Sequence, residues 1–330
     1  MIFVWTSMFV IVAMLACHLA FRRYVIPRIV AIFENVPPFN VVTGIPHPYD
    51  EPLLFFTADG VILRGSLLNG RQKDVKGLVL FLPELRGNHW MARRYCETLI
   101  RHGYAVMAVD FRSQGESAVM LGYSPIHWIT EYEMTDVEAM LEFIESRPDL
   151  STLPLLVYGV SRGGVAALVA ACRYPRIRGV IADSAFGTMS MTKYFVDRFV
   201  HYVIPPWLYR LQPRWHVDLT LRNAMEESEN RRRCKYVHLE REQETLESDR
   251  VLLISGGRDS YVTPEIAVRL QSIVGKHCQL WIAPSAKHNM SRSVCTEEYD
   301  RRVLKHCEVC LGMTLGAVSD RYDPTLAKSA

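Results

Sequence analysis

Short apolar runs separated by stretches of helical periodicity leave this chain few folds to adopt. The runs lie at 77–82 (GLVLFL), 104–110, 153–159, 179–184, 251–256 and 278–284, and they are nearly continuous rather than alternating. Such runs fit strands buried on both faces. Helical patterns fall between them at roughly 88–102, 130–147, 161–174, 263–274 and 292–312. In 130–147, Met134, Val137, Met140, Leu141 and Ile144 recur at helical spacing with acidic residues between them, which predicts one core-facing stripe. Strand–helix–strand repetition predicts an α/β fold with a mainly parallel central sheet flanked by helices. Ahead of it, the run 53–68 (LLFFTADGVILRGSLL) places two β-rich segments around Asp59-Gly60, a dipeptide suited to a hairpin turn.

With 49% hydrophobic and 22% charged residues, the 330-residue chain can bury a large core. Its 38 basic residues barely exceed its 35 acidic ones, a balance that offers no footprint for nucleic acid. Eight cysteines are too sparse for a disulfide scaffold and read as reduced thiols. Cys307-Glu-Val-Cys310 follows His306, but no second CxxC accompanies it, so structural zinc is not expected. The eleven histidines form no H-E-x-x-H spacing; no metal and no cofactor are expected.

The chain opens with twenty residues, 2–21, free of Asp, Glu, Lys and Arg, long enough as a helix to cross a hydrocarbon core of about 30 Å. No basic region precedes the stretch, whereas Arg22, Arg23 and Arg28 follow it, so an uncleaved single-pass anchor over 1–22 is favoured over a cleaved export signal. The positive-inside tendency then puts the large domain in the cytoplasm. Five prolines between residues 22 and 50 argue against a long helix there, and 23–50 reads as a membrane-proximal linker. The main domain is expected over 51–313. Residues 185–250 break the alternation with aromatic and then charge-dense sequence and read as an inserted cap, and 314–330 reads as a loose tail.

The chemistry gathers at three strand ends. Gly159-Val-Ser161-Arg-Gly163 follows an apolar strand and leads into a small-residue helix, VAALVAACRY. In a G-x-S-x-G turn, larger side chains at the glycines would meet neighbouring backbone, and the turn lifts the serine hydroxyl above the sheet. A serine needs a base, and the base needs a carboxylate to orient it. Asp259 follows the strand at 251–256 and His288 follows the last strand, which completes a Ser–Asp–His order.

Across roughly residues 52–313 the sequence resembles the α/β-hydrolase superfamily, and within it membrane-anchored enzymes of the monoglyceride-lipase and serine-aminopeptidase type. The resemblance rests on GVSRGG around Ser161, GGRDSYVTP around Asp259, PSAKH ending at His288, and VDFRSQGES at 109–117, where Ser113 stands in place of the family's first loop glycine. It implies Ser161 as nucleophile, Asp259 as acid and His288 as base, with Asp110 and Arg112 mostly structural. The chain departs from the family's His-Gly after the third strand, having Pro83-Glu84-Leu85-Arg86-Gly87. By register, Leu85 and Arg162 would supply the two backbone N–H donors of the oxyanion hole, and Glu84 is expected to point away from it. Tyr194, Phe195, Phe199, Tyr202, Trp207, Leu208 and Trp215 of the cap form an apolar set compatible with a small-molecule or lipid-like ester. A serine aminopeptidase, which would need an acidic subsite that Glu226 and Glu227 cannot be assigned, and a non-catalytic scaffold are the other readings.

Overall fold

The apolar runs become strands of a single sheet in the computed structural model, which describes residues 2–36, 41, 43–48, 50–70 and 74–313. Its eight strands are β1 (Glu51–Phe56), β2 (Ile62–Leu68), β3 (Leu78–Leu82), β4 (Ala105–Val109), β5 (Leu155–Val160), β6 (Ile177–Asp183), β7 (Val251–Gly256) and β8 (Gln279–Ala283). Their order is β1-β2-β4-β3-β5-β6-β7-β8. β1 and β2 form the expected hairpin, with Gly60 at φ +82° donating to the Thr57 carbonyl. β2 joins β4 antiparallel, and every later pairing is parallel.

The helices are α1 (Ile2–Glu34), α2 (Ala92–Arg101), α3 (Glu131–Ser146), α4 (Pro148–Ser151), α5 (Arg162–Arg173), α6 (Thr188–Phe199), α7 (Pro206–Arg210), α8 (Arg214–Arg232), α9 (Leu239–Glu242), α10 (Pro264–Val274), α11 (Ser291–Val294) and α12 (Thr296–Cys310). They cover the sheet on both faces. Leu78, Leu80 and Leu82 of β3 enter a core shared with α3, α5 and α10, while the intervening Val79 and Phe81 enter a second core with α2 and α12. Because neighbouring side chains point to opposite faces, both sets must be apolar, which is why the strand run is unbroken. Each such side chain contributes about 1.5–3 kcal/mol on leaving water.

The amino-terminal segment departs from expectation. The helix does not stop near residue 22 but continues through Pro27 to Glu34. Proline removes one backbone donor, and packing compensates: Val25, Ile29 and Val30 lie against Leu221 and Ala224 of α8 and against Val203 and Ile204. At its end the Phe33 ring stacks on Trp128 with centroids 4.6 Å apart, and Trp128 Nε1 donates to the Phe33 carbonyl at 2.9 Å. Over Trp5–Glu34 the same helix is, by length and composition, long and apolar enough to cross a membrane, and its first half leaves Trp5, Phe9, Ile11 and Leu15 exposed. Pro37 and Pro38 of the expected linker, and the expected tail at 314–330, lie outside the described residues.

Candidate active site

Ser161 sits between β5 and α5 with φ 52° and ψ −117°, a strained conformation for a residue with a side chain. The surroundings hold it there. Its N–H donates to the Asp183 carbonyl on the neighbouring strand at 2.7 Å. A Cβ on Gly159 would stand 2.1 Å from the Gly163 carbonyl oxygen, and one on Gly163 would stand 2.2 Å from the Leu82 carbonyl oxygen. The turn is therefore pressed against its own helix and against the end of β3, and only glycine fits at either position.

Asp259 and His288 reach this serine from the ends of β7 and β8. The Asp259 carboxylate is buried: Oδ1 accepts the backbone N–H groups of Tyr261 and Val262 at 2.8 and 2.9 Å, and Oδ2 lies 2.7 Å from His288 Nδ1. His288 Nε2 lies 3.1 Å from Ser161 Oγ. With Nδ1–H donating to the carboxylate, Nε2 is left as an acceptor for the serine hydroxyl proton. The three side chains picked out in the sequence thus form one unbroken chain of contacts.

Beyond β3, Pro83 to Asn88 make a turn that the 109–117 loop clamps. Gln114 Oε1 accepts the Arg86 N–H at 2.8 Å, and Asp110 accepts both the His89 N–H and, at 2.8 Å, its Nδ1–H. Asp110 also takes the Glu116 N–H, and a Cβ on Gly115 would fall 2.1 Å from its Oδ2. Arg112 is locked between Asp136 and Asp59, and Ser113 adopts φ 59° where the family carries glycine. Among the described residues, no hydrogen bond engages the N–H of Leu85 or of Arg162. Arg162 is the first residue of α5, whose leading N–H groups have no partner within the helix.

Three features were not legible in the sequence. The Arg162 side chain is buried, 2.6 Å from Glu133, whose other oxygen caps α3 by accepting from Thr130. Asp183 is buried behind the serine, accepting from Tyr299 Oη at 2.8 Å and from Ser184 Oγ at 2.9 Å, and burial raises its pKa to about 6. Glu84 belongs to the cavity wall. Its buried carboxyl lines the same cavity as His288 and accepts from the Asn289 side chain; desolvation raises its pKa to about 7 against the opposing pull of His288 and Asn289.

The cavity has a volume of about 1370 Å³ and a mostly apolar wall. His127 also lines it, but burial first and Arg162 next push its pKa down to about 3, so it stays neutral. His89 packs in the core against Asp110. Of the aromatic set expected between β6 and β7, Phe195, Phe199 and Tyr202 reach the cavity, whereas Trp207 and Trp215 are exposed elsewhere. Glu226 and Glu227 are exposed on α8 and take no part. The His306–Cys310 motif is occupied structurally: His306 Nε2 donates to the Val180 carbonyl at 3.0 Å.

The model of the family described as serine aminopeptidase, S33 matches residues 73–250, just over half the chain. The chain belongs to this family. It is an α/β-fold hydrolase, and the S33 match spans the serine turn and the segment that follows it up to β7. The uncharacterized protein YfhR of Salmonella typhi is 26% identical to this S33-type hydrolase over 230 residues, 64% of this chain and 70% of that one. Among solved structures, an esterase of Pyrococcus furiosus shares the fold with a TM-score of 0.58 at 22% identity, over 84% of this chain and 98% of its own. Est1E of Butyrivibrio proteoclasticus, solved with ferulic acid bound, shares it with a TM-score of 0.52 at 18% identity, over 77% and 99%.

Proposed function

We propose that this S33-family hydrolase cleaves carboxylic esters through Ser161, His288 and Asp259 and an acyl-enzyme. The observation that carries the reading is the chain of contacts from Ser161 Oγ through the imidazole to Asp259, 3.1 and 2.7 Å long. His288 Nε2 takes the hydroxyl proton as Oγ attacks the carbonyl carbon, and the Leu85 and Arg162 N–H groups hold the oxyanion. Collapse breaks the bond to the alcohol, which leaves with the proton from His288. Water, deprotonated by the same imidazole, then attacks the acyl carbon and releases the acid. Asp259 stays ionised throughout, holding the ring and stabilising its charged form.

The Pyrococcus furiosus esterase among the structural neighbours supports ester over amide substrates, and the mostly apolar cavity suits an apolar substituent on the ester. We read 185–250 as a cap over the site and residues 1–22 as a single-pass anchor, with the hydrolase on the cytoplasmic side because Arg22, Arg23 and Arg28 close or follow the apolar stretch. A fluorophosphonate probe tests the central reading: the wild-type protein is labelled and Ser161→Ala is not. Acyl esters tested beside aminoacyl amides separate esterase from aminopeptidase, since faster turnover of the amides would reverse the assignment.

A further inference from the structure

The wall of the cavity is not built by the hydrolase domain alone. The last turns of α1 contribute to it, with Ile29, Ala31, Ile32 and Phe33 all on the lining, together with Phe195 and Phe199 of α6. The cavity extends from there to His288, whose Nε2 is one hydrogen bond from Ser161. The lining is mostly apolar; among its polar members Glu84 and Asn289 meet next to His288, and Glu34, at the end of α1, faces Arg231 at 3.8 Å. A ligand that fits this distribution has a reactive polar group at one end and a long apolar body. The position of α1 adds a second observation. The turns that line the cavity continue the same helix whose first half is exposed and apolar, and Ile32 lies about 14 Å along the axis from Arg23 at 1.5 Å per residue.

We propose that the acyl chain of the ester lies in the arm of the cavity between the carboxyl-terminal end of α1 and α6, so that the first helix is part of the substrate site as well as a tether. The inference rests on the ester-hydrolase reading and adds to it the substrate class, long-chain acyl esters. Ala31 and Ile32 are exposed on the cavity side, so enlarging them fills the arm without repacking the core. The test uses full-length protein in detergent micelles and compares kcat/KM for 4-nitrophenyl dodecanoate with that for the butanoate. Ala31→Trp and Ile32→Trp lower this ratio at least tenfold. Val268→Trp, on the exposed face of α10 away from the cavity, leaves it unchanged. Circular dichroism and the melting temperature establish that each variant is folded. A ratio unaltered in both α1 variants overturns the proposal. Binding of cis-parinaric acid to Ser161→Ala, followed by its fluorescence, separates the two layers of inference: weaker binding in Ser161→Ala/Ile32→Trp supports the arm even with no turnover, and equal binding overturns it. Absence of fluorophosphonate labelling in the wild-type protein overturns the ester-hydrolase reading instead.

Discussion

The Arg162 guanidinium lies 2.6 Å from the Glu133 carboxylate with both side chains withdrawn from solvent, directly behind the turn that carries Ser161. Arg162 also donates through Nε to the Trp128 carbonyl at 3.3 Å, and Glu133 accepts from Thr130 at the start of α3. One ion pair therefore joins the first turn of α5 to the cap of α3 and to the segment that stacks on α1. A buried pair of this kind adds little net stability over apolar packing, but losing one member leaves an uncompensated charge.

Glu133→Ala is accordingly expected to destabilise the fold by about 3–5 kcal/mol, read as a lower midpoint in urea. A midpoint unchanged within error would mean that the guanidinium finds another partner.

Asp259→Asn keeps the shape of the carboxyl group but no longer favours the tautomer in which His288 Nε2 accepts the serine proton. Ester turnover should fall about 10⁴-fold while the fold persists, by analogy with the same change in other serine triads. Activity within tenfold of wild type would remove Asp259 from the proposed mechanism.

Glu84 links pH to stability. Its folded pKa of about 7 exceeds the ordinary carboxyl value of 4.5, so between those values the folded state binds more protons than the unfolded one. Stability contributed by the protonated, buried form is fully present below about pH 4.5 and is lost as pH rises towards 7. Asp183, raised to about 6, acts in the same direction. Glu84→Gln, which keeps an uncharged side chain at every pH, should flatten the fall in melting temperature between pH 5 and about 7.5, by on the order of 1–3 kcal/mol at the upper end. A slope as steep as that of the wild-type protein would show that Glu84 ionises without cost.

Deleting residues 2–20 removes most of the exposed apolar surface of α1 while leaving Val25, Ile29, Val30 and Phe33 to pack on α8 and Trp128. The shortened protein should move from the carbonate-resistant membrane pellet to the supernatant and still be labelled by a fluorophosphonate. Retention in the pellet would place the membrane contact elsewhere in the chain.

Much of this architecture could be read beforehand because two independent signals coincided. The strand at 77–82 was unbroken and apolar because its alternate residues serve two cores, and the serine turn announced itself through glycines that leave no room for a Cβ. Asp59 shows where such reading stops. In the sequence it is a turn residue, whereas in the fold it also holds Arg112, fifty-three positions away. Glu133 and Asp183 were hidden for the same reason: an acidic residue on a predicted helix face, or at a strand end, gives no sign of the long-range partner that lets it be buried. Pro27 misled in the opposite direction, since local breaker chemistry was outweighed by contacts with a helix almost two hundred residues further on.

The unbroken run of α1 through Pro27 has a mechanical consequence. A rod of 33 residues, about 50 Å long, is clamped over its final third and leaves the hydrolase body no swivel of its own. Whatever surface grips the leading end of that rod also dictates which side of the enzyme looks towards it, much as a flagpole's footing decides the direction of a sign bolted to its top.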